Sequence, residues 1–370
     1  MSIARQVEPI KLGLLNDMVL PDDLPIDLRG DMRQTLELVF EDGLAEGIID
    51  RPVEIHYREV DGLPRGSVKA VIDAYGELVD EGRLAIVGPN ISENTVVLVE
   101  EIDRRFRVPS IGLCGSDDWL GEWTFGLPNG SMTDEPIVIA HLMAQAGLHT
   151  AGVLFERSFI GQEYLKGFRN ACRDEDVRIV GEEAIPQTGL EIGEAVRALH
   201  QAKPDALVHL GFGLGVVQIN EALQSVDWDP PRYMGTAFED AYVSPEIWQP
   251  FVGWIGLEQY DEENRVAQAF LDRFQERYGR RPEYFMPVVF RDVAVSLLRA
   301  FGDAEPLSPR GVRDALERVK LVPAASGSQG TRISFGKWCR NGWMGAGYLT
   351  ARTLDPDGKT HRLAGRYGSE

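Results

Sequence analysis

The chain has 370 residues, too many for one ordinary hydrophobic core, so two domains are expected. Its composition, 44% hydrophobic and 26% charged, is that of a folded globular protein and excludes a disordered one. A formal net charge of -20 repels nucleic-acid phosphates and anionic lipid, which excludes both as natural partners.

In chain order, short β-branched runs alternate with amphipathic stretches. The runs "IKLGLL" (10–15), "VEIHYRE" (53–59), "LAIVG" (84–88) and "VPSIGL" (108–113) predict strands. Between them, Val68, Val71, Ile72, Tyr75 and Leu78 recur at helical spacing, as do Leu98, Val99, Ile102 and Phe106. After a Gly/Pro-punctuated crossover, "WTFGLPNGSMTDEP", the pattern repeats with "TAGVLFE" (150–156), "RIVGEEAI" (178–185), "DALVHLG" (205–211) and "RYMGTAF" (232–238). Three helical stretches follow within 265–320, and short β-like pieces end the chain. Strands separated by helices imply parallel sheets covered on both faces. The predicted fold class is therefore α/β, with two doubly wound parallel-sheet lobes.

Ligands of doubly wound sheets bind at the carboxyl ends of the strands. Two small, polar turns occupy such positions: Gly88-Pro89-Asn90, which leads into a helix at Ser92, and "LCGS", residues 113–116. A helix N-terminus offers unpaired N–H groups and partial positive charge to an anionic or carbonyl group. Ser92 either caps its own helix or turns to a ligand. Since Ser92-x-x-Thr95 is not a capping box, the hydroxyl is less committed to its backbone.

Other chemistries find little support. "GFGLG" (211–215) has Val216 where a dinucleotide fingerprint needs its third glycine. The six histidines are scattered with no i, i+4 pair, so no metal and no cofactor is expected. Cys114, Cys172 and Cys339 lack metal-ligand spacing and do not suggest a disulfide framework. Cys114, in a small strand-terminal turn, is a candidate nucleophile only if a base or helix terminus lowers its pKa. The absence of a catalytic constellation favours a binding protein over an enzyme.

The ordered series "IKLGLLND", "AIVGPNIS", "VPSIGLCGSDDW", "AGVLFERSFIGQEYLKGFRNAC", "KPDALVHLGFG", "YMGTAF" and "YGRRPEYFMPVVFRDVAVSLLRA" resembles the type I periplasmic binding proteins, in particular the leucine/isoleucine/valine-binding branch, over nearly the whole length. The resemblance implies two lobes joined by a three-strand hinge: 1–125 with about 260–335, and about 126–259 with 336–370. It implies a solute-binding protein of an ABC-type uptake system that closes on a small organic molecule, amino-acid-like, amide or aromatic or apolar carboxylate, and performs no catalysis. It also implies site residues. Ser92 matches the hydroxyl that binds a ligand carboxylate, with Asn90 beside it. Cys114 and Gly115 match a backbone contact, and Ser116 matches a second hydroxyl. Asn16 and Asp17 lie where the family has a loop over the ligand, while Phe159 or Ile160 and Phe212 or Gly213 match contacts from the second lobe.

One departure stands out. Near Ala237 the branch carries an acidic residue that holds an ammonium group; Ala237 and Phe238 cannot, and Glu239 or Asp240 could only with a longer loop. Without that carboxylate the ligand shifts to an uncharged or carboxylate-only molecule, for which Trp119, Trp123, Phe159, Phe212 and Phe238 are candidate apolar contacts. Ile91 stands where some members have a cysteine, so the family's small disulfide is not expected. An ABC permease is the partner if the chain serves transport. No signal-peptide-like stretch precedes the first strand, which reads as cytoplasmic, or as periplasmic or extracellular if a leader is removed. The cytoplasmic reading admits an alternative, a ligand sensor similar to amide-sensing amidase regulators, with a regulator protein as partner.

Overall fold

Strand and helix alternate along the folded chain as the patterning predicts. A computed structural model describes residues 7–20, 22–24, 26–63, 65–189, 191–238, 249–357 and 361–368. The first round comprises β1 (Ile10–Asn16), α1 (Leu28–Ala45), β2 (Val53–Glu59), α2 (Val68–Asp80), β3 (Ala85–Val87), α3 (Ser92–Glu101), β4 (Ser110–Gly112) and β5 (Thr124–Gly126). The chain then enters α4 (Asp134–Gln145), β6 (Thr150–Glu156), α5 (Phe159–Asp174), β7 (Arg178–Ile185), α6 (Glu191–Ala202), β8 (Ala206–Leu210), α7 (Val216–Ser225), β9 (Arg232–Met234) and β10 (Trp254–Glu258). It returns through α8 (Arg265–Tyr278), α9 (Met286–Asp303), α10 (Pro309–Leu316), β11 (Val322–Pro323) and β12 (Arg332–Ile333), and ends with β13 (Thr350–Leu354) and β14 (His361–Arg366).

The first sheet has the order β2-β1-β3-β4-β5 and is parallel throughout. The second repeats that order as β7-β6-β8-β9-β10, then adds β13 and β14 antiparallel. This edge departs from the all-parallel expectation because β13 and β14 are joined by a short link, whereas a parallel pair needs a long crossover. The central strands β1, β3, β4 and β8 are buried almost continuously, as helices on both faces require. On α2, Val71, Tyr75 and Leu78 form the buried stripe that the spacing predicts.

Helices α8 to α10 come back to the first lobe, with α9 packed against α1. Residues after 336 still touch the first sheet. Arg340 and Gly342 pair with Gly126 at the edge of the first sheet, through Gly126 N–H to the Arg340 carbonyl (2.9 Å) and Gly342 N–H to the Gly126 carbonyl (2.8 Å). The helical pattern expected to run to Phe106 instead widens into a π-turn over Ile102–Phe106, closed by Arg107 at φ 51°. The segment read as a crossover from Trp123 also contributes a short edge strand, β5.

Several helices begin with a side-chain cap. Ser67 accepts from Ala70 N–H (3.2 Å), Ser158 from Gly161 N–H (3.1 Å) and Ser308 from Gly311 N–H (3.2 Å). Helix α3 begins without one.

Candidate functional site

In a sheet of this strand order the switch point lies between the first and third strands, where neighbouring connections leave in opposite directions. Here that point falls between β1 and β3 in one lobe and between β6 and β8 in the other. A cavity of about 370 Å³ is lined from both. Asn16, Asn90 and Ser92 reach it from the first lobe, and Gly211, Phe212 and Ile160 from the second.

The first-lobe wall is held by buried polar ties. Asn16, at the end of β1, donates from Nδ2 to the Met18 carbonyl (2.8 Å) and to the Tyr57 hydroxyl (3.3 Å), and its Oδ1 accepts from Asn90 Nδ2 (2.8 Å). Asp17 accepts from the backbone N–H of Asn90 (2.7 Å) and Ile91 (3.2 Å) and from Asn94 Nδ2 (2.7 Å). Burial nevertheless outweighs these bonds and raises its pKa. The loop clamped in this way delivers Ser92 as the first residue of α3, with Ile91 rather than a polar residue at the cap position. Ser92 is 3% exposed and lines the cavity. Its hydroxyl therefore does not cap its own helix.

A matching arrangement holds the second-lobe wall. Glu156, at the end of β6, accepts from Gly213 N–H (3.2 Å) and from Gln187 Nε2 (3.5 Å). Burial, with added repulsion from Glu93 across the cleft, pushes its pKa up to about 7. Beside it His209 Nε2 lies 3.8 Å from Glu156 Oε1, and burial lowers the imidazole to about 4, which keeps it neutral. At the start of α4, Glu135 accepts from Ser131 N–H (3.2 Å) and from the hydroxyls of Thr236 and Tyr164; burial pushes it to about 7. Thr236 and Tyr164 both line the cavity.

The sequence profile of the periplasmic binding proteins matches residues 9–344. The chain belongs to the periplasmic binding protein family. Solved periplasmic binding proteins share its fold at low identity. An ABC transporter substrate-binding protein from Desulfitobacterium hafniense, in complex with Leu, superposes with a TM-score of 0.78 at 15% identity, covering 96% of this chain and 100% of that one. A type 1 periplasmic binding protein from Bordetella pertussis Tohama I gives 0.77 at 18%, covering 97% and 100%. The branched-chain amino acid substrate-binding protein LivJ from Streptococcus pneumoniae, in complex with isoleucine, gives 0.75 at 18%, covering 97% and 100%. No curated protein matches the chain.

In this periplasmic binding protein Asn16, Asn90, Ser92, Gly115, Ile160, Phe212 and Ala237 line the cavity. Six other candidates do not. Asp17 spends its carboxylate on the loop before α3. Cys114 turns into the core with Trp119, and burial pushes its thiol well above the ordinary range, which removes the basis for a nucleophile. Ser116 caps a short 3₁₀ turn by accepting from Asp118 N–H (3.2 Å). Phe159 is 39% exposed at the first position of α5. Gly213 supplies its N–H to Glu156, and Phe238 is buried against Phe251 and His361. Glu239 and Asp240 lie outside the described residues. Trp119 and Trp123 are core residues, Trp119 donating to the Phe125 carbonyl (2.7 Å).

The cavity also uses residues that the patterning did not single out: Asn129, Met132, Tyr164 and Thr236, and an apolar group around Leu20, Leu28, Met32 and Phe285. Tyr164 follows Ile160 by one helical turn on α5, a spacing from which it could have been inferred. Among the described residues no cluster of His, Cys, Asp or Glu could hold a metal ion, and no helix is long and apolar enough to cross a membrane. Cys114 and Cys172 are buried; Cys339 is exposed.

Proposed function

We propose that the chain is the solute-binding component of an ABC-type uptake system and that it holds a small organic molecule with a carboxylate or uncharged polar head, without catalysis. The observation that carries this reading is Ser92. Its hydroxyl is buried on the cavity wall at the start of a helix with no side-chain cap. Uncapped N–H groups and the helix dipole favour a carboxylate there. The structural relatives solved with leucine and isoleucine support binding of an amino-acid-like scale of ligand. The cavity lining favours a narrower class. Among the described residues it contains no carboxylate, and its one charged side chain is Arg65. An ammonium buried there would lack a charged partner, at a cost of several kcal/mol. Binding is expected to close the two lobes about the three crossings.

Thermal unfolding with leucine, 4-methylpentanoate and 4-methylpentanamide tests the reading. These share one apolar body and differ in the head. A ligand at 100 times its Kd adds about 2.7 kcal/mol of stability. Stabilisation by the deaminated acid or the amide, with little by leucine, is expected. Stabilisation by leucine alone, lost in Glu239→Gln, would replace the reading with ammonium recognition.

A further inference from the structure

We propose that the cavity carries a dedicated tail site, an apolar arm inside the first lobe, and that the ligand is an elongated monocarboxylate whose hydrocarbon chain lies in that arm; this rests on the carboxylate reading of Ser92. The arm is built from the segment after β1 and the first turns of α1, which contribute Leu20, Leu24, Leu28 and Met32, and from Phe285 and Met286 at the start of α9. The two sides are joined where the Tyr284 hydroxyl donates to the Leu28 carbonyl (3.5 Å), and α1 packs along α9 behind them. All of these residues belong to the first lobe, so the arm does not depend on the second lobe for its walls.

A second observation is that the segment along the arm has its backbone groups satisfied by polar side chains. The segment carrying Met18, Val19 and Leu20 is tied through its backbone. Leu20 N–H donates to Glu59 Oε1 (3.3 Å), Arg29 Nη2 donates to the Leu20 carbonyl (2.5 Å), and Arg65 Nη2 donates to the Val19 carbonyl (2.6 Å). Glu59 is fixed in turn by Arg29 Nε (2.9 Å) and by the Tyr57 hydroxyl, and that hydroxyl accepts from Asn16. A continuous polar chain thus runs beneath the segment from the polar end of the cavity to the arm. It satisfies the backbone and leaves the apolar side chains to the cavity, with Met18 40% and Val19 41% exposed.

The size and chemistry of the arm select its occupant. The whole cavity, arm and polar end together, holds about 370 Å³, within the range of sites that enclose whole ligands, which span roughly 300–1,000 Å³. A linear chain continuing from a carboxylate at Ser92 would extend along Leu24, Leu28 and Met286, which line the same cavity. Methionine is unbranched and conformationally adaptable, so Met18, Met32 and Met286 suit a flexible tail better than one rigid shape.

Titration calorimetry with butanoate, hexanoate, octanoate and decanoate, on the wild-type chain, Leu24→Trp and Ser92→Ala, tests the proposal. Leu24 is only partly buried, at the edge of the main core, so a larger ring there can project into the arm. In the wild type, affinity should rise roughly fourfold per added methylene until the arm is full. Leu24→Trp should flatten that rise, whereas Ser92→Ala should lower every acid by a similar factor and keep the slope. A slope unaffected by Leu24→Trp, or short acids that bind as well as long ones, overturns the arm and leaves the carboxylate reading standing. Response to leucine but to no acid of any length overturns both.

Discussion

The two lobes present the same device in two strengths. In each, the first strand of the sheet ends in a carboxyl that holds the loop leaving the neighbouring strand: Asp17 after β1 holds the loop after β3, and Glu156 at the end of β6 holds the loop after β8. Both loops line the cavity. Asp17 gathers two backbone N–H groups and the Asn94 amide, all within 3.2 Å. Glu156 accepts from the backbone N–H of Phe212 and of Gly213 (3.2 Å) and, at 3.5 Å, from Gln187, with a neutral histidine nearby and a like charge facing it. At the same position of a repeated topology burial raises both carboxyls, Glu156 to about 7 with a like charge adding to the effect, and they differ in how many donors hold them.

The comparison breaks most visibly at Asp17. Asp17→Ala strands three buried donors, each worth about 1–3 kcal/mol, so urea unfolding should show a loss of about 4 kcal/mol together with loss of ligand response. Asp17→Asn, which keeps an acceptor oxygen, should recover part of it.

Glu156 sharpens the contrast through pH. Its folded pKa of about 7 lies above the ordinary 4.5, so the folded state binds the extra proton between those values. Its stabilising contribution is complete below about pH 4.5 and is lost as pH rises through 7, at most about 3 kcal/mol. His209, lowered to about 4, acts in the opposite sense: its contribution is lost as pH falls from 6.5 towards 4. The difference between Glu156→Gln and the wild type isolates the carboxyl. The variant should gain stability relative to the wild type as pH rises from 5 to 8, whereas Asp17→Asn should stay less stable than wild type at neutral pH.

A smaller effect is expected at Gly211. Its φ is +157°, and an added Cβ would sit 2.3 Å from the Glu156 carboxyl carbon. Gly211→Ala should therefore cost about 2 kcal/mol and weaken ligand binding, measured by denaturation and calorimetry. Ser92→Ala should have the smallest effect on the fold, because no cap is lost. Affinity should fall by about 1–2 kcal/mol with unfolding unchanged. A drop in stability with affinity preserved would place the hydroxyl in the helix and not on the ligand.

Much of this architecture was legible in the chain. The eight strands anticipated from β-branched runs form, and the doubled alternation becomes two sheets of one strand order. Pattern alone could not place β5, because three residues carry no periodicity; β13 and β14 fall on the short β-like pieces expected at the end of the chain, but their antiparallel pairing depends on link length. The residues singled out in the two strand-end turns, Asn90, Ser92 and Gly115, line the cavity, as do Asn16, Ile160, Phe212 and Ala237, which the family resemblance suggested. The cavity was read poorly where a core and a binding wall use the same residues. Leu20, Leu28, Met32 and Phe285 have the composition and spacing of interior positions, and only the fold shows that one side of them is open. Asp17, Cys114 and Ser116 failed to reach the cavity for the converse reason: each is committed within its own turn or to the core, a distinction of one or two residues that strand ends do not reveal.

The three cysteines differ sharply in access, and Cys339 stands outside on the turn between Gly336 and Arg340 while the other two are enclosed. A maleimide dye would thus attach at a single place without any engineered substitution. A change in the signal of a dye at that one site on addition of ligand would give the proposed closure of the lobes an optical readout on the native chain.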